Sequence, residues 1–572
     1  MAFQISPGVN VSEVDLTTVV PSVLTTAGAF AGNFAWGPAN QIKLIDSEIT
    51  LVKTFGKPNS NTAVPFFTAA SFLAYGDNLS IVRAVGSGAL NADANTANAN
   101  IQITNEEAYE ASYLNVNSSN LSGPFAARYA GSLGNSIKVE VFDSANSTLF
   151  NAWSYKSYFT STPGTSSQVA AAGGTNDEIH IIVTDANGLF TGTPGTVLET
   201  YPFVSKLSTS TLNGASTYYK QVIFNDSNYI YSMDPVDYSN TNSTWGSSNA
   251  ATSFARISSA TYANGYYSVT LAGGVDSAPA DGNTQSAYSL FSNKETVDIA
   301  LVLTGDSSVT VQQHVIDNLT TSRADCVAFV SPRYVDVVNK SGNETTNIQS
   351  WLTSLGRSSS YVMADSGWKY QYDKYNNVYR WIPLNGDIAG LCVYTDTIKD
   401  PWFSPAGFNR GAIKNCIKLA WNPTKTFRDV LYAAGVNPVV SFPGQGTVLF
   451  GDKTLQSKPS AFDRINVRRL FITLEKSIAK AAQYSLFELN DEFTRAQFNN
   501  LVTPFLRDIQ GRRGITDFKV ICDSTNNTPQ VIDSNQFVGD IYIKPARSVN
   551  FIQLNFVAVG TGVDFNTTVG VA

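Results

Sequence analysis

The sequence predicts a multidomain α+β protein in which a regular α/β part is interrupted by a β-rich insertion. Strand-like and helix-like segments alternate between residues 295 and 400, a spacing typical of parallel strands covered by helices. Residues 86–290 are instead rich in Asn, Ser, Thr, Gly and Tyr, with short strand-like runs between turns. A long amphipathic helix is predicted over about 466–487, where apolar side chains recur on one face.

Length and charge limit the classes of function that are open to the chain. At 572 residues it is long enough for about three to five domains. Charged residues make up 15% of the sequence and the net charge is −7. The most basic segment, residues 451–520, holds 12 basic and 8 acidic side chains, too small an excess for binding a phosphate backbone. We therefore expect a folded, weakly charged protein with no nucleic acid partner.

The N-terminal region and the cysteines indicate where the protein resides. No Lys or Arg precedes Lys43, so the basic start of a signal peptide is missing. The uncharged stretch 16–42 contains Pro21, Asn33 and Gly37-Pro38, which argues against a membrane-spanning helix and against direct membrane insertion. The four cysteines form no CxxC pair, so we expect buried free thiols in a reducing compartment.

The sequence predicts a single strand without a local partner at each end of the chain. Residues 9–12 alternate apolar and polar side chains between Pro7-Gly8 and Pro21. Residues 551–559 alternate in the same way, which places Ile552, Leu554 and Phe556 on one face. Neither segment has a tight turn leading to a neighbouring strand, so each is a candidate to extend another sheet.

Between the ends, periodicity predicts the elements in order. Helices are expected near 60–75, 309–319, 347–355 and 466–487, with a second C-terminal helix over 491–510 that Pro504 interrupts. Strands are expected at 79–85, 137–141, 179–183, 218–224, 297–303, 326–330, 518–522 and 541–543.

No residue pattern points to catalysis, a cofactor or a metal. The two histidines, His180 and His314, have no second His at ligand spacing, and ordinary structural roles are expected for both. No GxxxxGK[ST] loop, complete GxGxxG fingerprint or GxSxG elbow occurs. We therefore predict no catalytic, cofactor-binding or metal-binding residues and no enzymatic activity.

Several longer phrases resemble the contractile tail sheath proteins of myovirus-type bacteriophages. They cover both ends and most of the body of the chain, and the resemblance is weakest over about 200–290. The phrases are SPGVNVSE (6–13), GNFAWGP (32–38), ARYAGSLGN (127–135), DANGLFTGTPGTVLE (185–199), WFSPAGFNRG (402–411), GVNP (435–438), FPGQG (442–446), NVRRL (466–470) and IKPARS (543–548).

The resemblance implies a structural subunit that forms stacked rings in a helical homopolymer around an inner tail tube. Contraction of such a sheath drives the tube through the host envelope for genome delivery. The implied partners are further copies of the chain, the inner tail tube protein, and baseplate and tail terminator proteins. The implied location is the tail of the virion, after assembly in the host cytoplasm.

Composition and the resemblance together predict five parts. They are an N-terminal strand arm (1–20), an α/β middle domain (21–95 with 291–400), an inserted β-rich outer region (96–290), an inner, tube-facing domain (401–535) and a C-terminal strand arm (536–572). The arms are expected to exchange strands with neighbouring subunits around the C-terminal α/β domain.

Two sets of residues are predicted to contact partners. The strand arms would do so through Val9, Val11, Val14 and Leu16 at one end and Ile552, Leu554 and Phe556 at the other. Four arginines of the most basic segment, Arg468, Arg469, Arg512 and Arg513, would lie near subunit or tube contacts, with solvated or intramolecular pairing as the alternative.

Two other functions remain open at this point. A sheath subunit of a bacterial contractile injection device would share the same fold and mechanics. A β-rich tail fibre or adhesin would fit the polar middle region, although the heptads and fixed-period repeats of such fibres are absent.

Overall fold

The computed structural model describes residues 20–21, 23–95, 100–114, 123–233, 245–257, 262 and 264–554. The chain divides into two compact units. The large unit comprises residues 21–401 and 405–480, and the described part of the C-terminal unit is mainly 481–554 with 402–404. The predicted N-terminal arm residues Val9, Val11, Val14 and Leu16 lie outside the described residues, as does Phe556.

The first part of the large unit contributes three strands and two helices. The predicted helix at 60–75 and strand at 79–85 are both confirmed, with slightly shorter bounds. The elements are β1 (Gly28–Gly32), β2 (Ile42–Ile45), α1 (Glu48–Phe55), α2 (Ala63–Leu73) and β3 (Leu79–Arg83).

The insertion follows β3 and is built mainly of short antiparallel strands. Its elements are α3 (Glu106–Tyr109), β4 (Phe125–Ala127), β5 (Ile137–Phe142), α4 (Ser147–Ala152), α5 (Ser167–Ala171), β6 (Glu178–Asp185), β7 (Thr196–Ser205), β8 (Thr211–Leu212), β9 (Ala215–Ser216), α6 (Tyr219–Asp226), β10 (Ile230–Ser232) and β11 (Tyr266–Thr270).

The chain then returns to alternating helices and strands. The elements are α7 (Asp281–Ser289), β12 (Leu301–Leu303), α8 (Val309–His314), β13 (Val327–Val330), α9 (Tyr334–Val337), α10 (Glu344–Leu355), β14 (Val362–Asp365), β15 (Trp368–Asp373), β16 (Val378–Pro383), α11 (Asn385–Ile398), β17 (Lys418–Leu419), α12 (Lys425–Ala433), β18 (Val436–Asn437), β19 (Val439–Phe442), β20 (Gly446–Leu449) and α13 (Ile465–Ala482). A π-helical turn over Val315–Thr321 extends α8.

A seven-stranded sheet organises the large unit, in the order β18-β14-β13-β12-β1-β3-β2. All neighbours are parallel except β2, which runs antiparallel to β3. Because β1 pairs with both β3 and β12, segments on either side of the insertion share this sheet. The mixed α/β fold class predicted from the sequence is confirmed.

Both faces of the sheet are buried, which explains the nearly continuous apolar strands. Successive side chains of a strand point to opposite faces. Phe30, Leu303 and Phe329 therefore enter the core that α2 and α11 cover. Ala29 and Val302 enter a second core against α7, α8 and α10.

The close packing of α11 on α2 depends on glycine. A Cβ atom at Gly386 would lie 2.5 Å from the Thr68 carbonyl oxygen, and one at Gly390 would lie 2.4 Å from the Tyr75 ring. A larger residue at Gly386 would push the two helices apart, and one at Gly390 would displace the Tyr75 ring just after α2.

The insertion leaves and rejoins the α/β part at adjacent points. The backbone groups of Asp93 and Ala272 exchange two hydrogen bonds, of 2.8 and 3.0 Å. The buried Arg83 joins the two parts, since its guanidinium donates to the carbonyls of Phe34, Gly37 and Ala130 at 2.7–2.9 Å. A four-stranded antiparallel sheet, β11-β5-β6-β7, forms the centre of the insertion.

The C-terminal unit consists of helices and one antiparallel strand pair. Its elements, after the end of α13, are α14 (Glu492–Gly511), β21 (Ile515–Ile521), α15 (Pro529–Asp533) and β22 (Asp540–Pro545). β21 pairs with β22, and no third strand joins them within the described chain.

Two of the elements predicted between the chain ends are wrong. Residues 219–226 form the helix α6, not a strand, because the buried Tyr219, Ile223 and Phe224 recur at helical spacing. Helix α14 also continues through Pro504. The buried stripe of Phe498, Val502, Leu506 and Ile509 crosses that position and holds the helix together despite the missing N–H.

The inner, tube-facing domain over 401–535 remains a prediction, and part of that range packs with the large unit. Residues 405–480 belong to the large unit, where β18 extends the seven-stranded sheet beside β14. A two-residue strand carries too little periodicity to be recognised in the sequence. At the other boundary, α7 packs its Ala287 and Tyr288 into the core under the sheet, so the insertion ends before residue 281.

Candidate assembly surfaces

The carboxyl ends of the central parallel strands carry a buried polar cluster. Small-molecule sites in open α/β sheets lie at this edge. Asp365 at the end of β14 accepts from Ser331 Oγ at 2.6 Å and from the Gly367 N–H at 2.8 Å. Asn385, at the start of α11, exchanges hydrogen bonds with Gly305 and donates to Ser331. The cluster connects strand ends to α11 within the subunit.

Two charged side chains lie deep beside this cluster. Lys369 Nζ is 2.8 Å from both carboxylate oxygens of Asp387, and neither side chain has any exposed surface. Tyr75 Oη also donates to Asp387 at 3.2 Å. Burial raises the pKa of Asp387, and burial raises the pKa of Asp365 to about 8. This pair joins β15 to α11 and thus has a structural role.

Both histidines have structural partners, as the sequence suggested. His180 is buried, its Nε2 lies 2.8 Å from the Ser161 carbonyl oxygen, and its Nδ1 accepts from the Phe203 N–H. Burial lowers the pKa of His180. His314 contacts Ser289 and Asn318 near the surface.

Within the described chain, neither the cysteines nor groups of potential metal ligands form a disulfide or a metal site. The four cysteines are free thiols, of which Cys416 alone is only partly buried. In the part of the chain that the structure describes, no three His, Cys, Asp or Glu side chains group closely enough to hold a metal ion. No helix within the same ranges combines the length and apolar composition that crossing a bilayer would require.

Two of the four predicted contact arginines are engaged inside the large unit. Arg468 donates to Ser360 Oγ at 2.8 Å and stacks on the rings of Tyr361 and Phe462. Arg469 is buried and forms an ion pair with Asp396. Burial lowers the pKa of Arg469, but the adjacent Asp396 carboxylate outweighs it and the net pKa is raised. Arg468 and Arg469 thus have partners inside their own subunit, which is the alternative that the sequence left open for them.

The other two arginines lie at the surface of the C-terminal unit. Arg512 pairs with Asp508 at 3.5 Å, and its guanidinium lies over the ring of Trp402 at 5.1 Å. Arg513 is exposed and has a positive φ of 66°. Both are accessible to a partner, so the contact role remains a prediction for Arg512 and Arg513 only.

Exposed apolar side chains concentrate in the C-terminal unit. Eight of the nine most exposed large apolar side chains in the described chain lie between residues 484 and 554. They form two groups, which we name the apolar loop (residues 484–493) and the C-terminal segment (residues 549–554). Exposed apolar side chains concentrated in this way are typical of protein–protein contact regions.

The C-terminal segment matches what the sequence predicted for an arm without a local partner. Phe551, Ile552 and Leu554 are largely exposed, and residues 546–554 belong to no strand. The predicted strand at 551–559 is therefore absent over its described half. The strand pair β21–β22 meanwhile leaves two backbone edges without a strand partner in the described chain.

Comparison with known proteins identifies the family of the chain. The model of the phage tail sheath protein central domain matches residues 281–455, and that of the phage tail sheath C-terminal domain matches residues 457–558. The chain is 34% identical to the tail sheath protein of Vibrio phage KVP40, with 99% of this chain and 100% of the relative aligned. The chain belongs to the phage tail sheath protein family.

Further tail sheath relatives extend over the whole chain. Identity is 34% to the protein of Enterobacteria phage T4, covering 99% of both chains. Identity is 33% to that of Salmonella phage ViI, covering 99% of this chain and 98% of the relative. The resemblance predicted from short phrases is thus confirmed.

Solved structures show the same fold at low identity. The sheath tail protein of Listeria innocua superposes with a TM-score of 0.52 at 10% identity, covering 93% of this chain and 97% of that chain. A sheath tail protein of Desulfitobacterium hafniense gives a TM-score of 0.51 at 10% identity, covering 94% and 100%.

Proposed function

We propose that this tail sheath protein polymerises as stacked rings around an inner tail tube and contracts to drive the tube through the host envelope. The observation that carries the proposal is the similarity to phage tail sheath proteins from end to end. In this role the chain is a non-enzymatic part of the virion tail, assembled in the host cytoplasm. Its partners are further copies, the tube protein, and baseplate and tail terminator proteins.

The exposed apolar side chains of the C-terminal unit support self-association. Burying Ile552 or Leu554 against a neighbour would contribute about 1.5–3 kcal/mol each. Ladder hydrogen bonds to an open edge of β21 or β22 would add about 0.5–1.5 kcal/mol each. Association costs about 4–15 kcal/mol, so one arm alone is marginal. We infer that both arms, or a tube template, are needed for a stable polymer.

The same arrangement suggests how rings could move without separating. The sequence predicts extended linkers at Leu16–Pro21 and Lys544–Ser548 that could bend. The first lies mostly outside the described residues, and in the second Lys544 and Pro545 are paired within β22. The Ala546 N–H also donates to the Gly514 carbonyl at 3.1 Å, so the segment that could bend begins after Ala546. Paired strands on either side of such a linker would persist while subunits rotate.

Truncation of each arm tests the proposal. Deleting residues 549–572, or separately residues 1–16, should leave a monomer that melts cooperatively, because the deleted residues 549–554 are exposed in the subunit. Negative-stain microscopy of the purified full-length chain should show tubes, and neither truncation should form them.

A matched control is the substitution Gln553→Ser, which lies on the opposite face from Ile552 and Leu554 and should assemble normally. Tubes formed by either truncated chain would contradict the role of the arms. Absence of tubes from the full-length chain, both alone and with a tube protein, would contradict the proposed function itself.

A further inference from the structure

The apolar loop forms an exposed surface that the strand arms do not account for. It carries the exposed side chains of Tyr484, Leu486, Phe487, Leu489 and Phe493 within ten residues. Phe487 is fully exposed and has a positive φ of 69°, which is uncommon for an aromatic residue. Such a surface is costly in an isolated subunit and indicates a contact in an assembly.

The loop is held in a fixed conformation by polar contacts beneath it. Asn490 Nδ2 donates to the Gln536 carbonyl at 2.7 Å, and Arg495 Nη1 donates to the side chain of Asn490 at 3.1 Å. The Asp491 carboxylate accepts from the Thr494 N–H at 2.8 Å and caps α14. Because the loop is ordered before binding, little conformational entropy is lost when a partner covers it.

Charge distinguishes the two ends of α14. Residues 481–495 contain the three acids Glu488, Asp491 and Glu492 and one base, Arg495, whose guanidinium is engaged with Asn490. The exposed carboxylates of Glu488 and Glu492 form no ion pair within the described chain. At the far end of the helix, Arg507, Arg512 and Arg513 are exposed and outnumber the single acid Asp508. The apolar loop thus has an acidic rim, whereas the other end of α14 is basic.

These complementary ends cannot meet within one subunit. Helix α14 has 20 residues, which separates its ends by about 30 Å. The two surfaces can therefore pair only between copies. A contact between different surfaces on identical subunits is heterologous, and repetition of such a contact generates rings or helical polymers.

We propose that the apolar loop of one subunit docks against the basic end of α14 in a second copy, placing Glu488 and Glu492 beside Arg512 and Arg513. The exposed Pro504 and partly buried Phe505 lie within two turns of those arginines and supply apolar surface. This inference rests on the proposed function, because it names one contact of the sheath polymer. It assigns to Arg512 and Arg513 a specific partner.

Reversing the charges on each side of the proposed contact, separately and together, tests whether the two surfaces pair. The variants Glu488→Arg with Glu492→Arg, and Arg512→Glu with Arg513→Glu, should each raise the concentration needed for tube formation at least tenfold. Combining all four substitutions should restore assembly to within about threefold of the wild type. Asp533→Arg, an exposed acid on α15 of the same unit, is the control and should assemble normally.

Leu489→Ser keeps all charges and provides an independent variant, which should weaken assembly while leaving the melting temperature unchanged. Normal assembly of both charge-reversed variants, or failure of the fourfold variant to regain assembly while it melts like the wild type, would overturn the contact. Loss of assembly only when the inner tube protein is present would also overturn it, because the loop would then bind the tube. Failure of the wild type to form tubes would instead overturn the proposed function.

Discussion

At the scale of single residues, buried charge and polarity define the interior of the large unit. Arg83 satisfies three backbone carbonyls, and Asn385 joins the loops that follow β12 and β13. Burial lowers the pKa of Arg83 to about 10. Unpaired groups at such depth would cost several kcal/mol, so each of these side chains holds together segments that are distant in sequence.

Asp365 is expected to make stability depend on pH. Burial raises its pKa to about 8, and the nearby Asp387 carboxylate, itself paired with Lys369, acts in the same direction. The folded state therefore keeps a proton that the unfolded chain loses above about pH 4. The free energy of unfolding should fall as pH rises from about 4 to 8, by up to about 1.4 kcal/mol per pH unit.

The substitution Asp365→Asn removes this titrating carboxyl group. The amide oxygen of the new side chain can still accept a hydrogen bond from the Gly367 N–H. Denaturant unfolding at several pH values should show a flatter profile for the variant over that window. Equal slopes in variant and wild type would mean that Asp365 is ionised in the folded protein. Asp533→Asn, at an exposed site, is the control and should leave the slope unchanged.

At the scale of elements, the sheet and its helices are held in register by contacts far apart in sequence. The Lys369–Asp387 pair links β15 to α11, and Gly386 lets α11 approach α2. On the C-terminal unit, α14 positions an acidic apolar loop at one end and arginines at the other. These elements of the large unit serve internal packing, whereas α14 carries the two surfaces of the proposed contact between subunits.

Removing one member of the buried Lys369–Asp387 ion pair should destabilise the fold much more than removing both. Lys369→Met leaves the Asp387 carboxylate buried without its cation and should lower the free energy of unfolding by about 3–5 kcal/mol. Lys369→Met combined with Asp387→Leu should recover most of that loss, because a buried pair can be replaced by apolar packing. Equilibrium denaturation of both variants measures the difference, and equal losses would contradict the assignment.

At the scale of the whole molecule, the insertion is a self-contained addition to the α/β part. Its strands pair among themselves, and both chain crossings lie at Asp93 and Ala272. From the polar, weakly charged composition alone, we would predict that a short Gly-Ser linker can replace residues 205–285 without loss of assembly. The structure argues against replacing that segment alone, because the replacement would remove β10 and β11 and leave their partners β4 and β5 unpaired.

Replacing residues 94–271 by a short Gly-Ser linker should therefore preserve the seven-stranded sheet. Stability should fall by a few kcal/mol, since Trp36 loses its contacts with Tyr129 and Phe190 and Arg83 loses the Ala130 carbonyl. The outward position expected for this region predicts that the variant still forms tubes. Circular dichroism and negative-stain microscopy test both points, and a folded variant that forms no tubes would contradict the outward placement.

The sequence alone determined the elements whose own periodicity is strong and the family to which the chain belongs. The apolar run at 326–330 and the stripe along α13 reflect burial that each segment requires wherever its partners lie. Local patterns could not identify β18, because a two-residue strand is stabilised by β14 and not by its own composition. They could not separate Arg468 and Arg469, which interior oxygens and rings surround, from the exposed Arg512 and Arg513. The apolar loop extends the pattern of the preceding helix in the sequence, and only the tertiary structure shows that the described part of its own unit leaves its side chains exposed. Burial and pairing depend on contacts between residues distant along the chain, so they are decided when the elements pack.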